Sequence, residues 1–181
     1  MTIKSSHNYL EWRTQFDRTR RWYARLKKIE HEIKKTGLTQ DSEDYIYAFF
    51  QNCWHLREWL SKSKVVEKNK IEQLVASHEE LRLCRDICNG TKHMSITRPS
   101  VDSGFYTFRE YDWLDQQVHS QGPRSNQKFM VRAAGRKHNM FALAHRCMKI
   151  WDDFVDRHVS QPKREPNQIT TDNSEASPLS I

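Results

Sequence analysis

Glycine and proline are scarce in this chain, whose 181 residues include five of each. β-Sandwiches and β-barrels need frequent turn residues, so the composition argues against both classes. No long apolar run is present either, which excludes a typical membrane-spanning helix and a secretory signal. We therefore expect a mainly α-helical protein that is soluble and cytoplasmic and does not bind a membrane.

Recognisable enzyme signatures are also missing. The sequence contains no phosphate-cradling glycine loop, no HExxH zinc helix and no GxSxG nucleophile elbow. None of the cysteines forms a CxxC pair with a second such pair downstream. Cys84 and Cys88 lie one helical turn apart, and His78 or His93 would have to complete any metal site there. We favour buried thiols in a reducing compartment and expect no metal and no cofactor.

The chain is rich in positive charge and in large aromatic residues. The formal net charge is +7 and there are six tryptophans. A basic balance of this size favours an anionic partner, of which nucleic acid is the usual one. Charge alone bears on attraction and says nothing about catalysis, so both a binding module and an enzyme remain open.

Apolar spacing predicts five helices, at about 9–35, 41–62, 68–76, 78–89 and 139–159. Ser42 is expected to cap the second helix, and Ser77 with Glu80 to form a capping box that opens the fourth. Alternation of apolar and polar residues predicts strands at 105–111 and 128–133. The predicted fold is an up-and-down bundle of four to five helices within residues 1–160. A β-hairpin is inserted at about 104–134, and residues 161–181 form a disordered tail.

The stretch LRLCRDICNGTKH, residues 81–93, combines an apolar helical half with a polar half. Asp86, Asn89 and His93 share a ridge of the helix if it continues through Gly90, because successive residues turn by about 100°. If the helix ends at Gly90, the glycine is a cap and His93 lies in a loop. The polar group is a functional site in one interpretation and a buried structural network in the other.

The hairpin region is rich in cations that alternate with aromatic residues. Tyr106, Phe108 and Trp113 are interleaved with the basic residues. The predicted nucleic-acid-binding residues are Arg98, Arg109, Lys128, Arg132, Arg136 and Lys137. The alternative is a solvated hairpin with one aromatic face on the core.

Three segments together resemble one known group of proteins: AFFQNCWHLREWL, LCRDICNGTKH followed by ITRP, and GRKHNMFALAHRCMKIWDDF. They look like small bacterial members of the HEPN superfamily of helical bundles, which occurs in toxin–antitoxin and other defence systems. The likeness spans most of residues 9–159. It implies a helical bundle that often pairs as a homodimer and acts either as a metal-independent endoribonuclease or as a noncatalytic binder of RNA, nucleotides or a partner protein.

The resemblance also implies candidate site residues. HEPN ribonucleases use an arginine followed by a polar residue and then a histidine, which Arg85, Asp86 and His93 match in type, with one residue more between them than the family pattern has. The candidate catalytic residues are Arg85, Asn89, Lys92 and His93, with His55, Glu58 and Asp86 in support. Histidine would move protons and arginine would stabilise charge on the reacting phosphate. The leading expectation is a noncatalytic RNA- or protein-interaction module, with the endoribonuclease and a nucleotide-binding protein as alternatives.

Overall fold

The computed structural model describes residues 11–36, 39–92, 99–113 and 125–159. In chain order the elements are α1 (Glu11–Thr36), α2 (Gln40–Lys62), α3 (Lys68–Ser77), α4 (Glu79–Lys92), β1 (Tyr106–Trp113), β2 (Ser125–Ala133), β3 (Arg136–Asn139) and α5 (Met140–His158). The protein is mainly helical with a small antiparallel sheet, as predicted. The tail at 161–181 that the sequence predicts to be disordered lies outside the described residues.

The helices pack around one core that the apolar stripes of the sequence indicate. Leu26 of α1, Phe49 of α2 and Trp151 of α5 are fully buried, and so is Leu81 of α4. Burial of a large apolar side chain of this kind contributes roughly 1.5–3 kcal/mol to folding. No helix in the described part of the chain is long and apolar enough to cross a membrane.

The start of α2 is capped one turn earlier than the sequence suggests. Thr39, not Ser42, is the N-cap, and its side-chain oxygen accepts from the backbone N–H of Ser42 at 3.2 Å. Ser42 returns the contact to the Thr39 backbone N–H, so the two residues form a reciprocal capping box. At α5, Asn139 caps the helix by accepting from the N–H groups of Phe141 and Ala142.

The predicted capping box at Ser77 is wrong. Ser77 is the last residue of α3, and its hydroxyl donates to the Leu74 carbonyl at 3.1 Å instead of reaching forward into α4. His78 separates the two helices, and its carbonyl accepts from the N–H of Arg82. At the other end α4 continues through Gly90 to Lys92, which decides between the two alternatives left by the sequence.

The sheet has three strands in the order β1-β2-β3, not the two of a hairpin. Ala134 and Gly135 form a turn after β2, with positive φ values of 49° and 70°. The third strand, Arg136–Asn139, begins directly after this turn. It was missed because its four residues, RKHN, show neither alternation nor β-branched residues, which are the sequence marks of a strand.

One face of the sheet packs on α2. The rings of Tyr47 and Phe129 meet edge to face with centroids 5.5 Å apart, and Val131 is fully buried beside them. The Tyr47 hydroxyl lies 3.2 Å from the Thr107 hydroxyl. These contacts define the inner face of the sheet and leave the side chains of alternate residues on the opposite face.

Candidate nucleic-acid interface

Asp86 is a structural anchor in the middle of α4. Its side chain is fully buried, although it carries a carboxylate. It accepts hydrogen bonds from the backbone N–H of Ser100 at 2.8 and 2.7 Å, from the Ser100 hydroxyl at 2.7 Å and from the Val101 N–H at 3.3 Å. These donors offset the cost of burying the carboxylate, which in return fixes the segment that leads into β1.

The structure describes the candidate catalytic residues only in part. Arg85 is exposed and Asn89 is half-buried, so they do not share the environment of Asp86. The backbone of Lys92 belongs to α4, whereas its side chain and the whole of His93 lie outside the described residues. A common catalytic cleft for Arg85, Asn89, Lys92 and His93 therefore stays a prediction.

The two supporting residues of α2 differ in their surroundings. His55 is half-buried, whereas Glu58 is exposed and forms an ion pair with Lys62 at 2.6 Å. The hydrogen bond from Lys62 lowers the pKa of Glu58, and the charges of His55 and Arg57 act in the same direction. A side-chain hydrogen bond joins α2 to the end of α4. The amide of Gln51 donates to the Thr91 hydroxyl at 2.9 Å.

A cleft of about 560 Å³ opens beside this contact, between α2, α4 and the beginning of β1. Gln51, Thr91, Tyr47 and Thr107 supply polar groups to its wall, and Phe105 supplies an apolar one. Burial raises the pKa of Tyr47, and nearby Glu43 adds to this effect against the opposing influence of Thr107 and Arg109. The Tyr47 phenol is therefore a neutral hydrogen-bonding group at physiological pH.

The opposite face of the sheet, which we call the outer sheet face, brings aromatic and basic residues together. Residues paired directly across an antiparallel sheet share one face. Tyr106 pairs with Arg132, which in turn pairs with Lys137. The outer sheet face consists of Tyr106, Phe108, Glu110, Lys128, Met130, Arg132, Lys137 and Asn139.

Two rings lie side by side on this face. Tyr106 and Phe108 have centroids 5.5 Å apart, and the Tyr106 side chain is 48% exposed. Lys137 places its ammonium 5.7 Å from the centre of the Phe108 ring and forms an ion pair with Glu110. Arg132 is exposed and makes no ion pair with any residue that the structure describes.

The structure divides the six predicted nucleic-acid-binding residues. Arg132 and Lys137 lie on the outer sheet face, and Lys128 is half-buried on the same face. Arg109 points to the inner face, where it forms an ion pair with Glu43 of α2. Arg136 is held by Glu79, with one guanidinium nitrogen 2.7 Å from each carboxylate oxygen. Arg98 lies outside the described residues.

The parity of β1 explains this division. Positions 106, 108 and 110 face outward, while positions 107 and 109 face α2. The sequence shows the alternation but not which face meets the helices, so it placed Arg109 and Tyr106 in one group. The sequence shows that Tyr106 and Phe108 lie on one face of β1, but not that this face lies away from the core.

The basic side of α1 makes a different kind of surface. Several of its guanidinium groups lie over aromatic rings of the same helix, such as Arg20 over Phe16 at 4.2 Å and Arg25 over Trp22 at 4.6 Å. Arg20 also forms an ion pair with Asp152 of α5 at 2.8 Å. These cations already have partners within the fold, which distinguishes them from Arg132.

No family model, curated protein or solved structure matches the chain. The HEPN-like resemblance therefore rests on the residues of this sequence alone.

Proposed function

We propose that this protein is a noncatalytic module that binds single-stranded RNA on the outer sheet face. The observation that carries the proposal is an exposed ring next to a half-buried one: Tyr106 is 48% exposed and lies beside Phe108. Every nucleobase has a π face, so a base can stack on the exposed Tyr106 ring with little dependence on its identity, and Phe108 extends the aromatic surface. Stacking of this kind is worth about 1–3 kcal/mol per base.

The cations of the same face supply the complementary electrostatics. Arg132 lies in one row with Tyr106 and Lys137, so its side chain leaves the sheet on the same face as the ring on which a base would stack. Guanidinium groups bind phosphate oxygens through two parallel N–H donors and remain charged at all physiological pH values. A strand whose bases stack on Tyr106 and Phe108 would therefore have its backbone within reach of Arg132.

A binding module is favoured over a catalyst by the same residues. The outer sheet face, among its described residues, contains a phenol, carboxylate and cations but no histidine that could move protons. Asp86, a member of the supporting set, is occupied by Ser100 and Val101. The resemblance to HEPN-like proteins favours a bacterial defence or toxin–antitoxin setting for such a module.

The test is the affinity of the full chain for a fluorescein-labelled single-stranded RNA of mixed sequence, measured by fluorescence anisotropy. Tyr106→Ala is expected to weaken binding about 5- to 150-fold, the range that corresponds to loss of one stacked base. Tyr106→Phe keeps the ring and should bind within about twofold of the wild type.

Arg157→Ala is the matched control for charge. Arg157 is exposed near the end of α5, about 27 Å along the helix from its start beside β3, and its loss should leave binding nearly unchanged. Failure of the wild type to bind RNA at 100 mM salt, or equal affinities of Tyr106→Ala and wild type, would overturn the proposal.

The second candidate is the metal-independent endoribonuclease. One observation favours it: the last turn of α4 borders the 560 Å³ cleft through Gly90 and Thr91, directly before Lys92 and His93. The described end of α4 thus reaches an open cleft whose wall carries the hydroxyl groups of Tyr47, Thr91 and Thr107. Cleavage of RNA in EDTA that is lost in His93→Ala would establish this alternative.

A further inference from the structure

Three cysteines from three different helices meet in the centre of the bundle. Cys53 of α2, Cys84 of α4 and Cys147 of α5 have sulfur atoms that all lie within 4.8 Å of one another. Each of the three side chains is fully buried. Their positions in the chain give no local motif, so only the packing of the helices creates the group.

The surroundings of the group include a donor without an acceptor. The indole Nε1–H of Trp151, one turn after Cys147 on α5, is buried close to the Cys53 sulfur and has no hydrogen-bond partner among the described residues. A neutral thiol is a weak acceptor, whereas a metal-bound thiolate is a strong one. The orphaned N–H is thus placed to stabilise negative charge on Cys53.

The remaining two thiols each donate to a backbone carbonyl group. The Cys84 S–H donates to the carbonyl of Phe50 at 3.5 Å, and the Cys147 S–H donates to the carbonyl of Glu80 at 3.3 Å. Both bonds are long and weak, so little hydrogen-bond energy is lost when a cation replaces each proton. Burial raises the pKa of both thiols, so the bond to the cation has to drive the loss of these protons. The protons would be released to solvent, and no change of oxidation state is involved.

We propose that Cys53, Cys84 and Cys147 form a three-coordinate site for Cu(I), a soft cation with a filled d shell. Thiolates are the ligands that select Cu(I), zinc and iron–sulfur clusters. At a metal–sulfur distance of about 2.3 Å, three sulfurs around one ion lie roughly 4 Å apart, which the group reaches without moving a helix.

The number of ligands distinguishes Cu(I) from zinc. Structural zinc sites take four protein ligands. Within the described residues no histidine, carboxylate or fourth cysteine joins the three sulfurs. Cys88, the remaining cysteine, is also buried but does not belong to the group, and it provides a control in the same core.

The site is enclosed, which determines how the experiment must be done. An ion can reach three fully buried sulfurs only while the helices are apart, so the reduced full-length protein should be refolded from guanidinium without oxygen. Cu(I) is added as its acetonitrile complex at one equivalent. Native mass spectrometry then gives the stoichiometry, and the near-ultraviolet thiolate-to-copper absorption reports the ligands.

The wild type and Cys88→Ala are expected to bind one Cu(I) per chain. Cys53→Ser and Cys147→Ser should compete for Cu(I) against a chromogenic chelator at least about tenfold less well, because each lacks one thiolate. The bound ion should raise the melting temperature of the wild type by about 5–10 °C when it exceeds its dissociation constant a hundredfold. Circular dichroism checks that each variant has refolded.

Three results would overturn the proposal. The first is a refolded wild type without bound copper. The second is equal loss of copper binding in Cys88→Ala and Cys53→Ser, which would show that the copper is not bound specifically by the three proposed cysteines. The third is preferential uptake of one Zn(II) from an equimolar mixture of the two ions, which would require a fourth ligand and exclude the three-coordinate site.

Discussion

Tyr106 and Arg132 lie directly opposite each other on β1 and β2, so an exposed ring and an exposed guanidinium share one row of the outer sheet face. An aromatic surface for bases is thereby joined to a positive charge for phosphates. Within the described residues Arg132 has no ion-pair partner, in contrast to Arg109 and Arg136. This difference gives the first prediction.

Arg132→Ala should reduce the salt dependence of RNA binding. Each phosphate contact on a single strand contributes about 0.7 to the slope of log affinity against log salt, and loss of one contact removes that amount. Affinities measured by anisotropy between 50 and 300 mM salt give the slope. Arg136→Ala is the matched variant on the same sheet, and its slope should stay at the wild-type value because Glu79 already holds that guanidinium. Equal slopes for wild type and Arg132→Ala would contradict the assignment.

Asp86→Ala should lower the free energy of unfolding of the protein, with or without a bound ligand. The substitution removes the acceptor for Ser100 and Val101 and leaves their N–H groups without a partner. Because these are hydrogen bonds to a carboxylate, we expect their loss to lower the free energy of unfolding by about 2–3 kcal/mol. Urea unfolding followed by circular dichroism measures it. Asp156→Ala, at an exposed position of α5, should change the free energy by less than about 0.5 kcal/mol.

Folding stability should decrease below about pH 6.5 in a way that depends on His138. Burial lowers the pKa of His138. The charges of Arg136 and Arg146 act in the same direction as burial, and those of Glu79 and Glu80 oppose it. The Nε2 atom is buried and has no hydrogen-bond partner among the residues that the structure describes. The folded state therefore keeps the imidazole neutral, while the unfolded chain takes up a proton at about pH 6.5.

The contribution of His138 is complete above the pKa of the unfolded chain and is lost as the pH falls through that value toward the lower folded pKa. Chemical denaturation at pH 7.5, 6.5 and 5.5 measures this loss, and His138→Gln should show a weaker decrease over the same interval. The same decrease in both proteins would assign the effect to other groups.

His93→Ala separates the binding module from the endoribonuclease. For a noncatalytic module we expect no cleavage of a mixed RNA pool in EDTA by either protein, and unchanged binding to single strands. Products with cyclic-phosphate ends from the wild type, absent with His93→Ala, would identify the endoribonuclease and replace the first proposal. His78→Ala is the control, since His78 is placed between α3 and α4 with its imidazole 2.8 Å from the Leu74 carbonyl.

The helices follow from the sequence because burial of apolar side chains at helical spacing is a local property of the chain. α3 and α5 begin within one residue of their predicted starts, and apolar residues at helical spacing along α5, among them Phe141, Trp151 and Val155, are buried. The helix ends were less predictable. Ser77 has the residue type of a cap, but its hydroxyl finds a nearer acceptor in its own helix, at Leu74.

The sequence by itself determined that this protein is mainly helical and basic, with an aromatic and cationic strand region near its centre. Only the tertiary structure decided which of those cations are available to bind a ligand. Side chains alternate between the two faces of the sheet, so Arg109 lies on the inner face, where it pairs with Glu43, and Arg132 lies on the outer sheet face. Tertiary structure also brought Cys53, Cys84 and Cys147 together. Composition and periodicity can be recognised from residues that are close in the chain, whereas contacts between distant residues depend on how the helices and strands pack against each other.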